Sequence, residues 1–182
     1  HFTSIAGNEV DVEGGTYGWT INQEAETEKL IKQIKKGRQV KREPEYAHYA
    51  KSRKKNDIGD TYVEVDLGSQ HMWFYKDGET IVSTPVVTGN TSLGRGTPTG
   101  VYYILYKTTD YTLTGEGYAS PVDYWLPFTH SGVGIHDSSW RSSYGGSIYT
   151  YDGSHGCVNT PYDAVRTIYN NIESTYPVVV HW

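Results

Sequence analysis

The chain has 182 residues, a single cysteine and a formal net charge of −5. That length can bury a real core, and one thiol excludes an intrachain disulfide. No apolar run approaches the roughly 20 residues that cross a bilayer, and the acidic balance argues against nucleic acid as a partner.

The charge is unevenly spread. Residues 1–57 carry eleven basic and nine acidic groups, net +2; residues 58–182 carry five basic and twelve acidic, net −7. This shift marks a boundary near Asp57. The basic run from Lys29 to Lys55 is read as a solvated helix face and linker rather than a site for an anionic polymer. The stretch after His1 is polar and lacks a signal-peptide pattern. Because the chain does not open with Met, a processed form with a lost upstream signal or anchor is expected.

Asn22 to Lys36 reads as a helix. Asn22 is a plausible N-cap, Glu24 and Glu26 sit in the first turn, Leu30, Ile31 and Ile34 share a face that needs a partner surface, and Gly37 is a stop. Residues 38–57 read as a polar connector. From Thr61 the texture turns to alternation. Val63, Val65 and Leu67 alternate with Glu64 and Asp66, a strand with one wet face. His71–Tyr75 and Thr80–Val87 follow as strands around a turn at Lys76–Glu79, and Thr99–Tyr106, Gly132–His136 and Pro177–His181 are further strand candidates. Residues 89–100 and 138–153 read as loops. One helix interrupts the strands: Thr160 as N-cap, Pro161 at the first position, and Ala164, Val165, Ile168 and Ile172 as the buried face. The fold class expected is mainly β with some α. Residues 58–182 form a β-sandwich-like, mixed-sheet domain with one packed helix, and residues 1–57 a small α-containing appendage.

The chemistry centres on Cys157, in Ser154-His155-Gly156-Cys157-Val158-Asn159, with His136 upstream in Gly134-Ile135-His136-Asp137-Ser138. The thiolate is the nucleophilic form, and a nearby imidazole is the usual device for generating it near neutral pH. Residues two apart on an extended segment share a face, so His155 is placed beside Cys157, while His136 ends a separate strand. On residue types alone either histidine serves as the base. Backbone N–H groups at Gly156 and Cys157 suit an oxyanion pocket. The plainer reading is a cysteine that merely packs as a small apolar residue. Zinc is disfavoured, since C-x-x-C pairs and H-E-x-x-H are absent. The aromatics around Tyr118–Trp125 and Trp140–Tyr151 suit either cleft walls or core.

These residues resemble the signature of the L,D-transpeptidase catalytic domain (the YkuD-like family): a histidine, then Ser or Thr, His-Gly-Cys, an apolar residue and Asn. Seventeen residues separate His136 from Ser154, within the family's spacing, and Thr97-Pro98-Thr99-Gly100 looks like its Thr-Pro-Xaa-Gly turn. The resemblance covers roughly residues 60–182. It implies an enzyme that crosslinks peptidoglycan. The thiol attacks the bond between the L-centre and D-Ala of a tetrapeptide stem, a thioester forms, D-Ala leaves, and an acceptor amine takes the acyl group. Carried over by position, Cys157 is the nucleophile and His136 the base. His155 lines the site, Ser154 or a nearby backbone carbonyl orients His136, Gly156 and Cys157 supply oxyanion N–H groups, and Asn159 fixes the local loop.

The resemblance further implies donor and acceptor stem peptides as partners, a carbapenem as covalent inhibitor, and neither metal nor other cofactor. A monomer is expected, extracytoplasmic at the cell wall or surface and membrane-anchored when full-length. An L,D-carboxypeptidase, in which water takes the acyl group, is the alternative. A wall-binding module with a structural Cys157, and a cysteine peptidase of another fold, are weaker readings. Residues 1–57, with Gly15–Trp19, the Asn22 helix and Arg42–Tyr46, look like the truncated tail of an accessory domain suspected of binding peptidoglycan.

Overall fold

Two small pairings and one helix make up the N-terminal part. β1 (Phe2–Thr3) runs antiparallel to β2 (Glu9–Val10), and β3 (Thr20–Ile21) to β4 (Tyr46–His48), so the expected connector contains a strand. The structure is a computed structural model that describes residues 2–115 and 117–182; His1 and Glu116 lie outside it. Between β3 and β4 lies α1 (Gln23–Lys35). Asn22 caps it as expected, its side chain accepting from Ala25 N–H at 3.0 Å, and Gly37 follows with φ +59°. The helix packs through its polar side. Glu26 pairs with Arg42 and accepts from Glu45 N–H, and Lys29 pairs with Glu45. Leu30, Ile31 and Ile34 face solvent, Ile34 at 77% exposure, so the apolar face has no partner surface among the described residues.

Beyond Asp57 come β5 (Tyr62–Asp66), β6 (His71–Lys76), β7 (Glu79–Pro85), β8 (Gly100–Tyr103), β9 (Thr108–Gly115), β10 (Tyr118–Pro127), β11 (Gly134–Asp137), α2 (Ile148–Asp152), β12 (Val158–Thr160), α3 (Tyr162–Asn171) and β13 (Pro177–His181). They build two mixed sheets. One has the order β7-β6-β5-β13-β8, with β13 parallel to β5; the other has β12-β11-β10-β9, with β11 parallel to β12. Asp77 and Gly78 both take positive φ (52° and 84°), the mirror-image turn that suits a two-residue hairpin between β6 and β7.

The core lies between the two sheets and α3. Val63, Val65, Phe74, Val178 and Val180 meet Leu126, Ile135 and Val158 from the second sheet and Val165, Ile168 and Ile172 from the helix side. The fold is therefore mostly β with mixed sheets, as the alternation indicated. Three local expectations are corrected, the third at Glu64 below. Thr160 is not the N-cap of α3: it ends β12, opposite Asp137 in the parallel ladder, with its hydroxyl on Val158 O at 3.1 Å. Pro161 is the capping residue, without a side-chain bond. The loop read at 138–153 also contains the short helix α2.

The face of β5 that carries Glu64 is not wet. The N-terminal segment covers it: Phe2 meets Tyr62 edge-on at 5.7 Å, Tyr17 packs nearby, and the N–H of Ile5 donates to the Tyr62 hydroxyl at 2.9 Å. Glu64 is fully buried, and a buried carboxylate needs partners. Asn8 Nδ2 donates to its Oε1 at 2.8 Å, and His181 Nε2 lies 3.2 Å from the same oxygen. Burial is the largest single influence and disfavours charge on His181, yet the hydrogen bonds to Glu64 and the Trp182 carbonyl and the nearby Glu64 and Asp66 carboxylates together outweigh it, and the His181 pKa is raised.

A truncation follows from this contact. Residues 58–182 are expected to fold alone, because the main core draws on no residue before Val63. Their Tm is expected to fall by several degrees as Tyr62, Tyr75 and Glu64 lose their cover. Thermal denaturation of the truncated chain, followed by circular dichroism, checks both. An unfolded product shows that the N-terminal segment is integral to the domain.

Candidate active site

The segment around Cys157 is held by a strap of earlier loop. Val87 and Asn159 exchange both backbone hydrogen bonds (2.9 and 3.0 Å), Ser154 N–H donates to Thr88 O at 3.0 Å, and Asn90 N–H to Ser154 O at 2.9 Å. The Thr-Pro-Xaa-Gly turn has a physical task here. Thr97 Oγ1 donates to Gly156 O at 2.6 Å and accepts from Gly89 N–H at 3.0 Å, tying the loop to the residue before the thiol. Gly156 sits at φ +126°, which a side chain would strain, and an added Cβ at Gly89 would stand 2.0 Å from Arg95 O.

Ser154 closes this turn on itself. Its hydroxyl donates to Cys157 O at 2.5 Å and accepts from Gly156 N–H at 3.0 Å. Two expectations change as a result. Ser154 does not orient His136, and the Gly156 N–H is already taken. The Cys157 N–H is left as the donor of this turn with no acceptor engaged among the described residues.

His136 ends β11 next to β12, in register with Asn159 and therefore two positions from Cys157. It is 2% exposed. Its Nδ1 lies 2.6 Å from Asp137 O, and a carbonyl only accepts, so Nδ1 carries the proton and Nε2 the lone pair. The carboxylate of Asp137 is occupied elsewhere, accepting from Tyr124 N–H at 2.8 Å. The hydrogen-bonding pattern assigns the Asn159 amide with its nitrogen 3.2 Å from His136 Nε2 and its oxygen 3.2 Å from both Nε and Nη2 of Arg141. Arg141 is in turn clamped by Asp152, through Oδ2 at 2.9 Å and the backbone carbonyl at 2.8 Å. Asn159 thus does more than shape a loop: its side chain links a buried guanidinium to the imidazole.

The electrostatics leave both partners neutral at rest. Burial pushes the His136 pKa down to about 4, with Arg141 adding to the fall and Asp137 opposing it. Burial pushes the Cys157 thiol up to about 11, against a smaller lowering by a Gly134 backbone hydrogen bond. Its Sγ points at Gly132 O, 3.7 Å away. Both shifts favour a neutral thiol and a neutral imidazole at rest, so a thiolate has to be generated by proton transfer to the imidazole. Alkylation of Cys157 by iodoacetamide in short pulses is expected to be slow at pH 7 and to climb about tenfold per pH unit towards pH 11. A plateau below pH 8 contradicts the neutral pair.

His155 is exposed and engaged differently. Arg95 Nη1 donates to its Nε2 at 2.7 Å, and the Tyr118 ring stacks on it with centroids 4.8 Å apart and an angle of 23°. Cys157, His136, His155, Ser154, Asn159 and Arg141 all line one open cavity of about 460 Å³. Its walls include Tyr111, Tyr118 and Trp140, and at its floor Trp125, which is 2% exposed and stacks on Tyr111. The aromatics thus divide between wall and core. Arg95 and Arg141 were missed in the sequence, as was the strand Thr108–Gly115 that carries Tyr111. Among the described residues no cluster of His, Cys, Asp or Glu is arranged to hold a metal ion.

A thiol on a glycine turn, an imidazole with its tautomer fixed by a backbone carbonyl, and a spare N–H beside the sulfur are the groups that acyl transfer through a cysteine requires. Comparison with known proteins narrows the class: a family model described as the L,D-transpeptidase catalytic domain matches residues 60–180, and the chain belongs to that family. A crystal structure of a mutant Enterococcus faecium L,D-transpeptidase is 43% identical, with a TM-score of 0.80, over 99% of this chain and 73% of that one. The catalytic domain of E. faecium L,D-transpeptidase acylated by ertapenem is 46% identical, with a TM-score of 0.62, over 68% and 98%. An L,D-transpeptidase from Mycobacterium tuberculosis, 21% identical with a TM-score of 0.60 over 68% and 58%, shares the fold. Comparison with curated protein sequences gave no match. The family acts on peptidoglycan, which lies outside the cytoplasmic membrane. No helix among the described residues is long and apolar enough to cross a membrane.

Proposed function

We propose that the chain is a cysteine-dependent peptidoglycan L,D-transpeptidase in which Cys157 is the nucleophile and His136 the base. The observation that carries this is the unprotonated Nε2 of a buried, tautomer-locked His136 lining the same cavity as the only thiol. Attack by sulfur on the carbonyl of the L-residue forms the C–S bond as the thiol proton passes to Nε2. At rest that lone pair faces the Asn159 amide at 3.2 Å, so this contact yields to the thiol when the proton moves. The Cys157 N–H meets the developing oxyanion. His136 then returns the proton to the departing amine, the C–N bond breaks and D-Ala leaves. An acceptor amine attacks the thioester, gives its proton to Nε2, and the thiol is restored.

His155 is the weaker base because a charged guanidinium holds its Nε2 lone pair at 2.7 Å, a stronger bond to break than the neutral amide contact at 3.2 Å on His136 Nε2. The acylation of the E. faecium relative by ertapenem supports covalent inhibition of this chain by carbapenems. The test is incubation with a tetrapeptide stem with and without an amine acceptor. Crosslinked product and released D-Ala are expected. Release of D-Ala with tripeptide alone, acceptor present, assigns the L,D-carboxypeptidase activity instead.

A further inference from the structure

Arg95 is a charged group tied through His155 to the cavity of Cys157, and the mechanism has no use for it. Its backbone is fixed: the N–H donates to Asn90 O at 2.8 Å, and the carbonyl packs against Gly89 too closely for a side chain there. Its Nη1 bonds to His155 Nε2 at the edge of the imidazole, while the Tyr118 ring stacks on the face of His155, which lines the cavity of Cys157. A guanidinium has five N–H donors, and His155 takes one. Among the described residues no carboxylate pairs with Arg95, whereas Arg141, which lines the cavity, is held by Asp152 and Asn159. An exposed arginine positioned by a neutral acceptor keeps its charge and most of its donors for a ligand.

We propose that Arg95 binds a carboxylate of the donor peptide beside the scissile bond, and that His155 serves to hold Arg95 there. The inference rests on the reading of the site as one acylated by a stem peptide. Such a donor carries an α-carboxylate on the departing residue, next to the carbonyl that Cys157 attacks. A diaminopimelate-type third residue offers a second carboxylate on its side chain. Either is a planar two-oxygen anion that a guanidinium meets with paired hydrogen bonds.

The experiment measures binding to the full chain carrying Cys157→Ala, with Arg95 intact or changed to Gln or Lys. Three peptides are compared: a Lys-type tetrapeptide acid, its C-terminal amide, and the amide of the diaminopimelate-type tetrapeptide. The acid is expected to bind about 10- to 100-fold more tightly than its amide, as for a charge-assisted hydrogen bond. Arg95→Gln brings the two together and Arg95→Lys restores part of the gap. Affinity regained by the diaminopimelate-type amide, and lost again in Arg95→Gln, assigns the side-chain carboxylate as the group bound. Equal binding of all three peptides with Arg95 present, or a preference that survives Arg95→Gln, overturns the proposal. Intact-mass detection of the acyl-enzyme on the unmutated chain separates the two failures. Acylation without a carboxylate preference sinks only the role of Arg95, and no acylation by any peptide sinks the transpeptidase reading from which that role derives.

Discussion

Cys157→Ala is expected to abolish acylation and turnover while leaving the fold in place. No second thiol exists to take over, and loss of a covalent nucleophile costs on the order of 10⁶-fold in hydrolases of comparable design. The fold depends little on the sulfur. Its polar contacts are the 3.7 Å approach to Gly132 O and a backbone hydrogen bond from Gly134, and the turn around it is tied by Thr97, Ser154 and Val87 through other atoms. The variant should therefore unfold within about 1 kcal/mol of the parent, as for changes outside the packed core. Residual D-Ala release above about one part in a thousand of the parent rate, in a variant with unchanged Tm, removes Cys157 from its role.

His136→Ala is expected to lower the rate of Cys157 acylation at pH 7 by about 10²- to 10⁴-fold, the usual worth of a positioned general base. Part of the rate should return as the pH climbs towards 11, where the thiol ionises without help. His155→Ala should be milder, since its Nε2 is already committed to Arg95. The reverse ranking, with both variants folded, exchanges the two roles. A stability signature accompanies the kinetic one. Burial lowers the His136 pKa from 6.5 to about 4 in the folded chain, so between those values the unfolded chain binds more protons. Stability from this group is full above pH 6.5 and falls as pH drops towards 4, by about 3 kcal/mol in all. Urea denaturation at pH 7 and pH 4.5 should show His136→Gln losing less stability over this interval than the parent; an identical loss contradicts the lowered pKa.

The candidate site was legible because its residues are local in sequence. A thiol, a glycine and a histidine within three residues announce themselves, and His136 stood at the end of a readable strand. What positions those groups was not legible. The orienting partner of His136 is the backbone carbonyl of Asp137, which any residue at that position supplies. Arg141 and Arg95 arrive from loops whose paths depend on tertiary contacts with Asp152 and Gly89. The β9–β10 hairpin escaped detection because β9 is polar and largely exposed along its length, so it carries no period-2 apolar signal. Glu64 misled in the opposite sense. Alternation of Val and Glu normally marks a solvated face, and only the covering segment with Asn8, together with His181, turns that face inward. The same limit applies to α1: its apolar stripe was plain, but its packing through Glu26 and Lys29 was not.

The central claim is that Cys157 carries the acyl group. Intact-mass spectrometry after incubation with a tetrapeptide donor, and separately with a carbapenem, followed by peptide mapping, tests it most directly. One adduct per chain is expected in each case, located on the peptide that contains Cys157 and absent from Cys157→Ala. An adduct that persists in Cys157→Ala, or a chain that releases D-Ala while never forming a thioester on Cys157, contradicts the account.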